Sequence, residues 1–404
     1  MPGTPHITPK LAQEAIDSHV TPLPAELRPL DQCAGRVLRQ DIYAERDNPP
    51  FDRVCMDGIA VDSAAATRGL RQFTIEATQQ AGARALALSH PEHAIEIMTG
   101  AVLPRGADCI IPMEEYTLLG NIASLSEGVV AKPYRNVQRR GVDSQPGVPM
   151  LKAGTVLGAP EMAVVASAGL AHVRVSRQPG FMVISTGDEL IEPGHPIEEH
   201  QVRRSNAYAI VGALRQRGFE QVDSDHIPDN QSLLQECVGQ HLSRHDVLIL
   251  SGGVSHGKFD MVPKVLQNLA VREIVYEVAQ RPGMPMWFGI GPAGQTVFGL
   301  PGNPVATLVC LIRYVVPAVN AAMGAPREPP RTVILGRAVK FNKGVTYFLP
   351  VSVHYDDLGR GVALPRPPNG PGDFLSLTGS HGFVELPPQA EDFPEGFVAD
   401  FYRW

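Results

Sequence analysis

The sequence predicts a multidomain α/β and α+β chain in which a doubly wound α/β domain is joined to smaller β-rich parts. Three observations carry this. From about residue 180 to 325, strand-length apolar runs alternate with helix-length ones, the pattern of a largely parallel sheet covered by helices. Residues 50–140 instead show short alternating runs broken by glycine and proline, and residues 331–404 read as a compact β domain. At 404 residues the chain exceeds one ordinary domain, and its 39 glycines and 37 prolines supply turns and linkers for several. The expected division is a discontinuous α+β linker domain at 1–48 and 141–178, a small β-rich domain at 49–140, the α/β domain at 179–326, and a C-terminal β-barrel-like domain at 327–404.

In chain order, Leu11 to Ser18 reads as a helix, and the extended pieces up to residue 45 find their partner in Gly154 to Val175. Strands are expected at Phe73–Ala77, Ala94–Met98, Cys109–Pro112 and Val129–Lys132. Further strands are expected at Phe181–Ser185, Gln221–Ile227, Val247–Leu250, Arg272–Val278, Met286–Gly289 and Thr296–Leu300. The helices between them run from Ser205, read as an N-cap, to Arg217, from Asn230 to Leu242, and from Asp260 to Leu269. Pro304 opens the last helix. Val305 to Met323 is the most apolar long stretch, but Arg313, Pro317 and Asn320 make it a buried helix rather than a membrane span.

Composition narrows the function. Net charge is −7 and the basic runs are short pairs, Arg139-Arg140 and Arg203-Arg204, which disfavours a nucleic-acid surface. An anionic ligand must therefore be held by local donors or a metal, not drawn in by the overall field. Five dispersed cysteines with no CxxC pair suit reduced, mostly buried thiols and a cytoplasmic location. Met1 to Lys10 has three prolines and no apolar core, so it does not read as a secretory signal.

The chemistry gathers at strand ends. The apolar run Val247–Leu250 stops at Ser251-Gly252-Gly253, and Asp260 stands where the next helix begins. Glycines after a buried strand let backbone N–H groups face an anion, and a carboxylate in such a loop can hold a metal that bridges it. The same segment also fits a plain strand–turn–helix connection with Asp260 as N-cap. Thr186-Gly187-Asp188-Glu189, Pro228-Asp229-Asn230 and Pro301-Gly302-Asn303-Pro304 end three other strands. In a parallel sheet all four converge on the edge where ligands bind.

An ordered set of motifs then spans nearly the whole chain. It runs from Pro49-Pro50-Phe51-Asp52 and Met56-Asp57-Gly58, through Met98-Thr99-Gly100-Ala101 and Arg139-Arg140-Gly141 with Asp143, to Thr186-Gly187-Asp188-Glu189. Gly252-Gly253-Val254-Ser255 with Gly257 and Asp260 follows, then Arg281-Pro282-Gly283 and Leu300-Pro301-Gly302-Asn303-Pro304. This set resembles the molybdopterin molybdenumtransferase family (MoeA and the gephyrin E domain). The resemblance implies a molybdopterin-binding type of α/β domain within an elongated homodimer. Its cleft would lie between the α/β domain of one subunit and the β domains of the other. It further implies molybdenum cofactor biosynthesis, with molybdate and adenylylated molybdopterin as substrates, AMP as a product and Mg2+ as helper. Molybdoenzymes or their chaperones are the further partners implied. Carried over residue by residue, it assigns catalytic roles to Asp57, Asp143, Asp229 and Asp260, and metal binding to Glu189 and Asp260. Thr99, Arg140, Ser251, Gly252, Gly253, Arg281, Pro301, Asn303 and Ser376 become substrate contacts. Without it, Asp57-Gly58 reads as a hairpin turn, Asp143 as a loop residue and Asp229 as a helix cap.

The chain departs from the family pattern in several places. Arg53 stands where Asn is typical, Gln138 where Arg is common, Met284 in the lysine place of a Pro-Gly-Lys-Pro motif, and Pro350 where arginine is usual. Three of these changes remove a cation, and neither Gln nor Met replaces one as an oxyanion donor. Arg53 and His256 are expected to return part of that charge from new positions. Two rival functions follow, a weakened paralogue serving as molybdopterin scaffold or carrier, and an adenylyltransferase acting on molybdopterin.

Overall fold

The structure, a computed structural model, describes residues 6–254, 261–370 and 372–404. Asp260, Ser255, His256 and Gly257 therefore lie outside the described residues. Among those described, three six-stranded sheets organise the chain.

The α/β sheet has the strand order 222–227, 181–186, 247–251, 296–300, 287–290, 272–276. The first four strands are mutually parallel, and only Trp287–Ile290 runs against its neighbours. That meets the expectation of a largely parallel sheet. Strands Phe181–Thr186, Val247–Ser251 and Thr296–Leu300 are buried on both faces, which is why they read as continuous apolar runs. One face packs through Phe181, Val183, Phe288 and Phe298, and the other through Ile184, Leu248, Leu250 and Trp287. Helix Pro9–His19, capped by the Thr8 hydroxyl accepting from Leu11 N–H at 3.3 Å, contributes Ala12 and Ile16 to the first of these cores.

Two local expectations fail. Ser205 is not the cap of its helix: Ser205–Arg215 begins with Ser205 already helical and Arg204 at the cap, its guanidinium turned inward to the sheet. Val129–Lys132 forms no strand. In the small β domain the edge strand is instead Tyr116–Leu119, paired with Ile122–Leu125, and Val129 packs against that sheet from a loop. Apolar alternation over four residues marks burial, not ladder membership.

The long apolar helix is buried as expected. It runs Pro304–Cys310, passes through a π segment at Leu311–Val315, and continues Val316–Ala322. It is long and apolar enough to cross a membrane, yet 72% of it lies inside the fold. The small β domain orders its strands 109–112, 58–61, 93–97, 72–79, 122–125, 116–119. Around it, Ala25–Pro29 pairs with His172–Ser176 and Ile42–Tyr43 with Pro149–Leu151.

The C-terminal sheet closes on itself. Strand Thr346–Tyr355 pairs with both Gly361–Pro365 and Gly382–Leu386, and Arg331–Leu335 and Val398–Arg403 complete the ring. Gln280–Arg281, from the α/β part, adds to this barrel beside Thr346–Tyr347. Arg313, on the π segment, joins three elements. It donates to Glu385 of the barrel at 3.0 Å and to Gln13 of the N-terminal helix at 3.1 Å.

Candidate active site

Register places the four predicted strand ends side by side. Thr186 is level with Ile227, Ser185 with Ser251, and Ser251 with Leu300. The turns that follow form one crown, stitched by short bonds. Gly252 N–H donates to Leu300 O at 3.3 Å, Asp229 N–H to Asp188 Oδ1 at 3.0 Å, and His226 Nε2 lies 2.9 Å from Gly187 O. Asn303 caps the helix at Pro304, its Oδ1 accepting from Val305 and Ala306 N–H at 2.9 and 3.2 Å. Its side chain is thus committed to the helix, while its loop stays part of the crown.

The glycines are dictated by space. A Cβ on Gly252 would sit 2.8 Å from Thr186 O, and one on Gly253 would sit 3.0 Å from Thr186 Oγ1, with both residues at positive φ. The loop therefore lies directly on Thr186. That hydroxyl belongs to a residue 4% exposed and, among the described residues, has no hydrogen-bond partner. A buried polar atom without a partner is costly unless something binds it.

Asn206 is a crown residue that sequence reasoning missed. Its Nδ2 donates to Ser251 Oγ at 3.0 Å and to Gly302 O at 2.9 Å, tying two of the four loops together. Among the described residues its buried Oδ1 has no partner. The signal was an asparagine one residue after the helix start, and reading Ser205 as the cap hid it. Arg204 lies beneath, donating to Ser185 Oγ at 3.3 Å, to Asp225 O at 2.7 Å and to Glu192 at 3.1 Å. Glu189 is exposed, with its carboxylate folded back over Gly187.

Asp57, Thr99, Arg53, Gln138, Asp143 and Arg140 form a second cluster on the small β domain. Asp57 Oδ1 accepts from Thr99 N–H at 2.6 Å and from its hydroxyl at 2.7 Å. These bonds, the backbone one first, hold the Asp57 carboxyl below its ordinary pKa. Asp57-Gly58 is no hairpin turn: Gly58 opens strand Gly58–Val61, and any side chain there would collide with Ile111 O. Asp143 accepts from Gln138 Nε2 with both oxygens, at 3.0 and 2.9 Å. Arg140 is spoken for, its side chain paired with Asp47 at 2.5 Å and its N–H bonded to Asp52 at 2.8 Å.

A cavity of about 490 Å³ opens between crown and barrel. Arg281, Pro301 and Asn303 line it together with Met284, Pro350, Phe341 and Tyr347, the last two stacked at 4.1 Å. Met284 and Pro350, two of the positions that lack a cation, thus share one wall, and Arg281 is its cation. That wall stands on Gln280, which is fully buried. Gln280 Nε2 donates to Gly283 O at 3.1 Å and to Pro282 O at 3.3 Å, and its Oε1 accepts from Tyr314. A Cβ on Gly283 would lie 2.7 Å from Cys310 Sγ, whose thiol is pushed up to about 12 by burial. Ser376 does not line this cavity; its hydroxyl closes its own turn on Asp373 O at 2.9 Å. Among the described residues no group of three or more His, Cys, Asp or Glu forms a metal cage.

Comparison with known proteins agrees along the whole chain. Residues 7–169 match the MoeA N-terminal region (domain I and II), 182–321 a probable molybdopterin binding domain, and 332–404 the MoeA C-terminal region (domain IV). A molybdopterin molybdenumtransferase of Synechocystis is 36% identical over 394 residues, covering 97% of this chain and 98% of its own. One from Haemophilus influenzae is 32% identical over 337 residues, covering 81% and 82%. A molybdopterin biosynthesis MoeA structure from Pyrococcus horikoshii superposes with a TM-score of 0.81 at 27% identity, covering 98% of this chain and 99% of its own.

Proposed function

This chain belongs to the molybdopterin molybdenumtransferase family, and from that we propose how its residues serve the reaction. It acts in molybdenum cofactor biosynthesis as a transferase that inserts molybdate into molybdopterin. In our reading the molybdopterin arrives adenylylated and AMP leaves. The observation that carries this is the crown, where four loops meet at one edge of the sheet and two buried polar atoms, Thr186 Oγ1 and Asn206 Oδ1, have no partner among the described residues.

Adenylylated molybdopterin is a phosphoanhydride, so its cleavage to AMP builds charge on phosphate oxygens. Gly252, Gly253 and the Pro301–Asn303 loop cradle the phosphate, Ser251 shapes that loop, and the Thr186 hydroxyl donates to it. Arg281, exposed at the rim of the cavity between crown and barrel, supplies the cation. The apolar wall of Met284, Phe341, Tyr347 and Pro350 receives the uncharged part of the substrate. Asp57 and Asp143 hold protonated oxo groups of molybdate, and Thr99 keeps Asp57 ionised. Asp229 lines the crown side.

Mg2+ fits this donor set. The crown offers hard oxygens from Glu189 and Asp229 beside a phosphate site, and Mg2+ takes one or two carboxylates plus phosphate and water, not a full protein cage. Bound there, it would neutralise phosphate charge. Glu189 is its proposed ligand, with Asp260 the second by sequence. Among the described residues no hydrogen bond or ion pair joins the crown to the small-domain cluster. We accordingly place the cluster of one copy against the crown of another, in a homodimer acting in the cytoplasm. Family membership favours the enzyme over the scaffold reading. The deciding experiment gives purified protein adenylylated molybdopterin and molybdate. AMP release that depends on molybdate is expected, abolished by Asp57→Ala and slowed by chelating divalent cations. Tight molybdopterin binding with no AMP release would overturn the reaction in favour of a carrier.

A further inference from the structure

Asp143 is held by a neutral group that is itself held by a cation. Both its oxygens accept from Gln138 Nε2. Gln138 Oε1 in turn accepts from Arg53 Nε at 3.1 Å and from one of its terminal nitrogens. Arg53 and Gln138 are directly opposite in the two-stranded ladder of Arg53–Val54 with Val137–Gln138, which sets their Cβ atoms about 5 Å apart. The amide can face only one way. A guanidinium has only donors and an ionised carboxylate only acceptors, so Oε1 faces Arg53 and Nε2 faces Asp143. Turning the amide over would exchange every bond for a repulsion.

The neighbouring guanidiniums are engaged elsewhere, Arg139 over the Tyr134 ring at 3.7 Å and Arg140 on Asp47 at 2.5 Å. Among the described residues Asp143 makes no ion pair, so Arg53 is the cation that governs it, at one remove. A single nitrogen shared by both carboxylate oxygens fixes the carboxylate along one axis and leaves a lone pair of each oxygen facing away from the amide.

We propose that Arg53 is a positioning residue for the transfer reaction, acting through Gln138 on the Asp143 carboxylate. The proposal rests on the functional role given to Asp143 above. AMP release is measured at saturating and limiting molybdate, with thermal unfolding of each variant alongside. Arg53→Met frees the amide to turn, and kcat is expected to fall about 10- to 100-fold, the usual cost of a misplaced group, with Tm nearly unchanged. Arg53→Gln is expected to lose activity likewise. The double variant Arg53→Gln with Gln138→Arg places a guanidinium directly on Asp143 from the opposite strand, and is expected to recover most of the wild-type rate. Wild-type kcat and KM in Arg53→Met, beside an inactive Asp143→Asn, would overturn the inference while leaving Asp143 functional. Full activity in Asp143→Asn would instead overturn the role of Asp143 itself. Loss in Arg53→Gln with no recovery in the double variant would show that Arg53 does not act through Gln138, and the proposal would fall.

Discussion

The crown of the α/β domain is built from backbone, whereas the cluster on the small β domain is built from side chains. In the crown, Gly252 and Gly253 lie against Thr186 with no room for a Cβ, and the loops are tied by main-chain groups and Asn206. In the cluster, Asp57, Asp143, Arg53 and Arg140 are exposed and bond mainly through their side chains. A backbone site tolerates little, because each replacement adds an atom where none fits. A side-chain site can exchange partners across a ladder and keep its carboxylate in place. The departures of this chain follow that division. Arg53 and Gln138 belong to the cluster, and Met284 and Pro350 to the cavity wall; the described part of the crown keeps its glycines.

The largest expected effect lies where the long buried helix of the α/β domain meets the barrel. Arg313 is 5% exposed and bonds Glu385 and Gln13 while lying 5.2 Å from the Tyr402 ring. Arg313→Met would leave the half-buried Glu385 without its cation, holding the Tyr402 hydroxyl at 2.9 Å, and breaking a buried pair from one side costs about 3–5 kcal/mol. Denaturant unfolding should show that loss. A change below 1 kcal/mol, on the order of an exposed ion pair, would mean the barrel is held by other contacts.

Next in size is the crown itself. Gly252→Ala meets Thr186 O at 2.8 Å with φ at +97°, and strained overpacking of this kind costs about 1–3 kcal/mol. AMP release should fall by more than the stability loss explains, because the loop must lift off Thr186. Equal activity in a folded Gly252→Ala protein would remove the reason for calling this loop a phosphate cradle.

Much of this division is legible in the sequence, for a physical reason. Crown residues follow parallel strands whose doubly buried apolar runs fix where each strand stops, so Thr186, Ser251 and Pro301 could be placed together without a structure. Ladder partners distant in sequence could not. Arg53 and Gln138 are 85 positions apart, and nothing local in either segment names the other. The two departures therefore read as losses and gains of charge at separate points, when they are two ends of one relay. The cavity wall was hidden likewise, since Phe341 and Tyr347 reach Arg281 only after the barrel closes on strand Gln280–Arg281.

A third test separates exposed from buried chemistry. Cys55, between Arg53 and Asp57, is exposed, while Cys33, Cys109 and Cys310 are buried. Burial also raises the Cys109 thiol to about 11, and the thiolate is the reactive form. A thiol reagent should therefore modify Cys55 first in the native protein and, once bulky, slow AMP release. Fast labelling that leaves the rate unchanged would place the substrate away from the cluster.

The smallest expected effect concerns Asp57. Its carboxyl is held low by the Thr99 backbone N–H first and the hydroxyl second. A depressed carboxyl favours its charged form, so any stability it contributes is present above the unfolded-state pKa and is lost as pH falls through the lower, folded one. Thr99→Val keeps the N–H and removes only the hydroxyl bond. The Asp57 titration, followed by carboxyl NMR, should move upward toward the ordinary aspartate range without reaching it. The acid limb of the rate profile should move the same way, with neutral-pH stability almost untouched because the carboxylate is exposed to water. An unmoved titration would show that the backbone alone sets this charge, and the cluster would then resemble the crown more closely than its exposed side chains suggest.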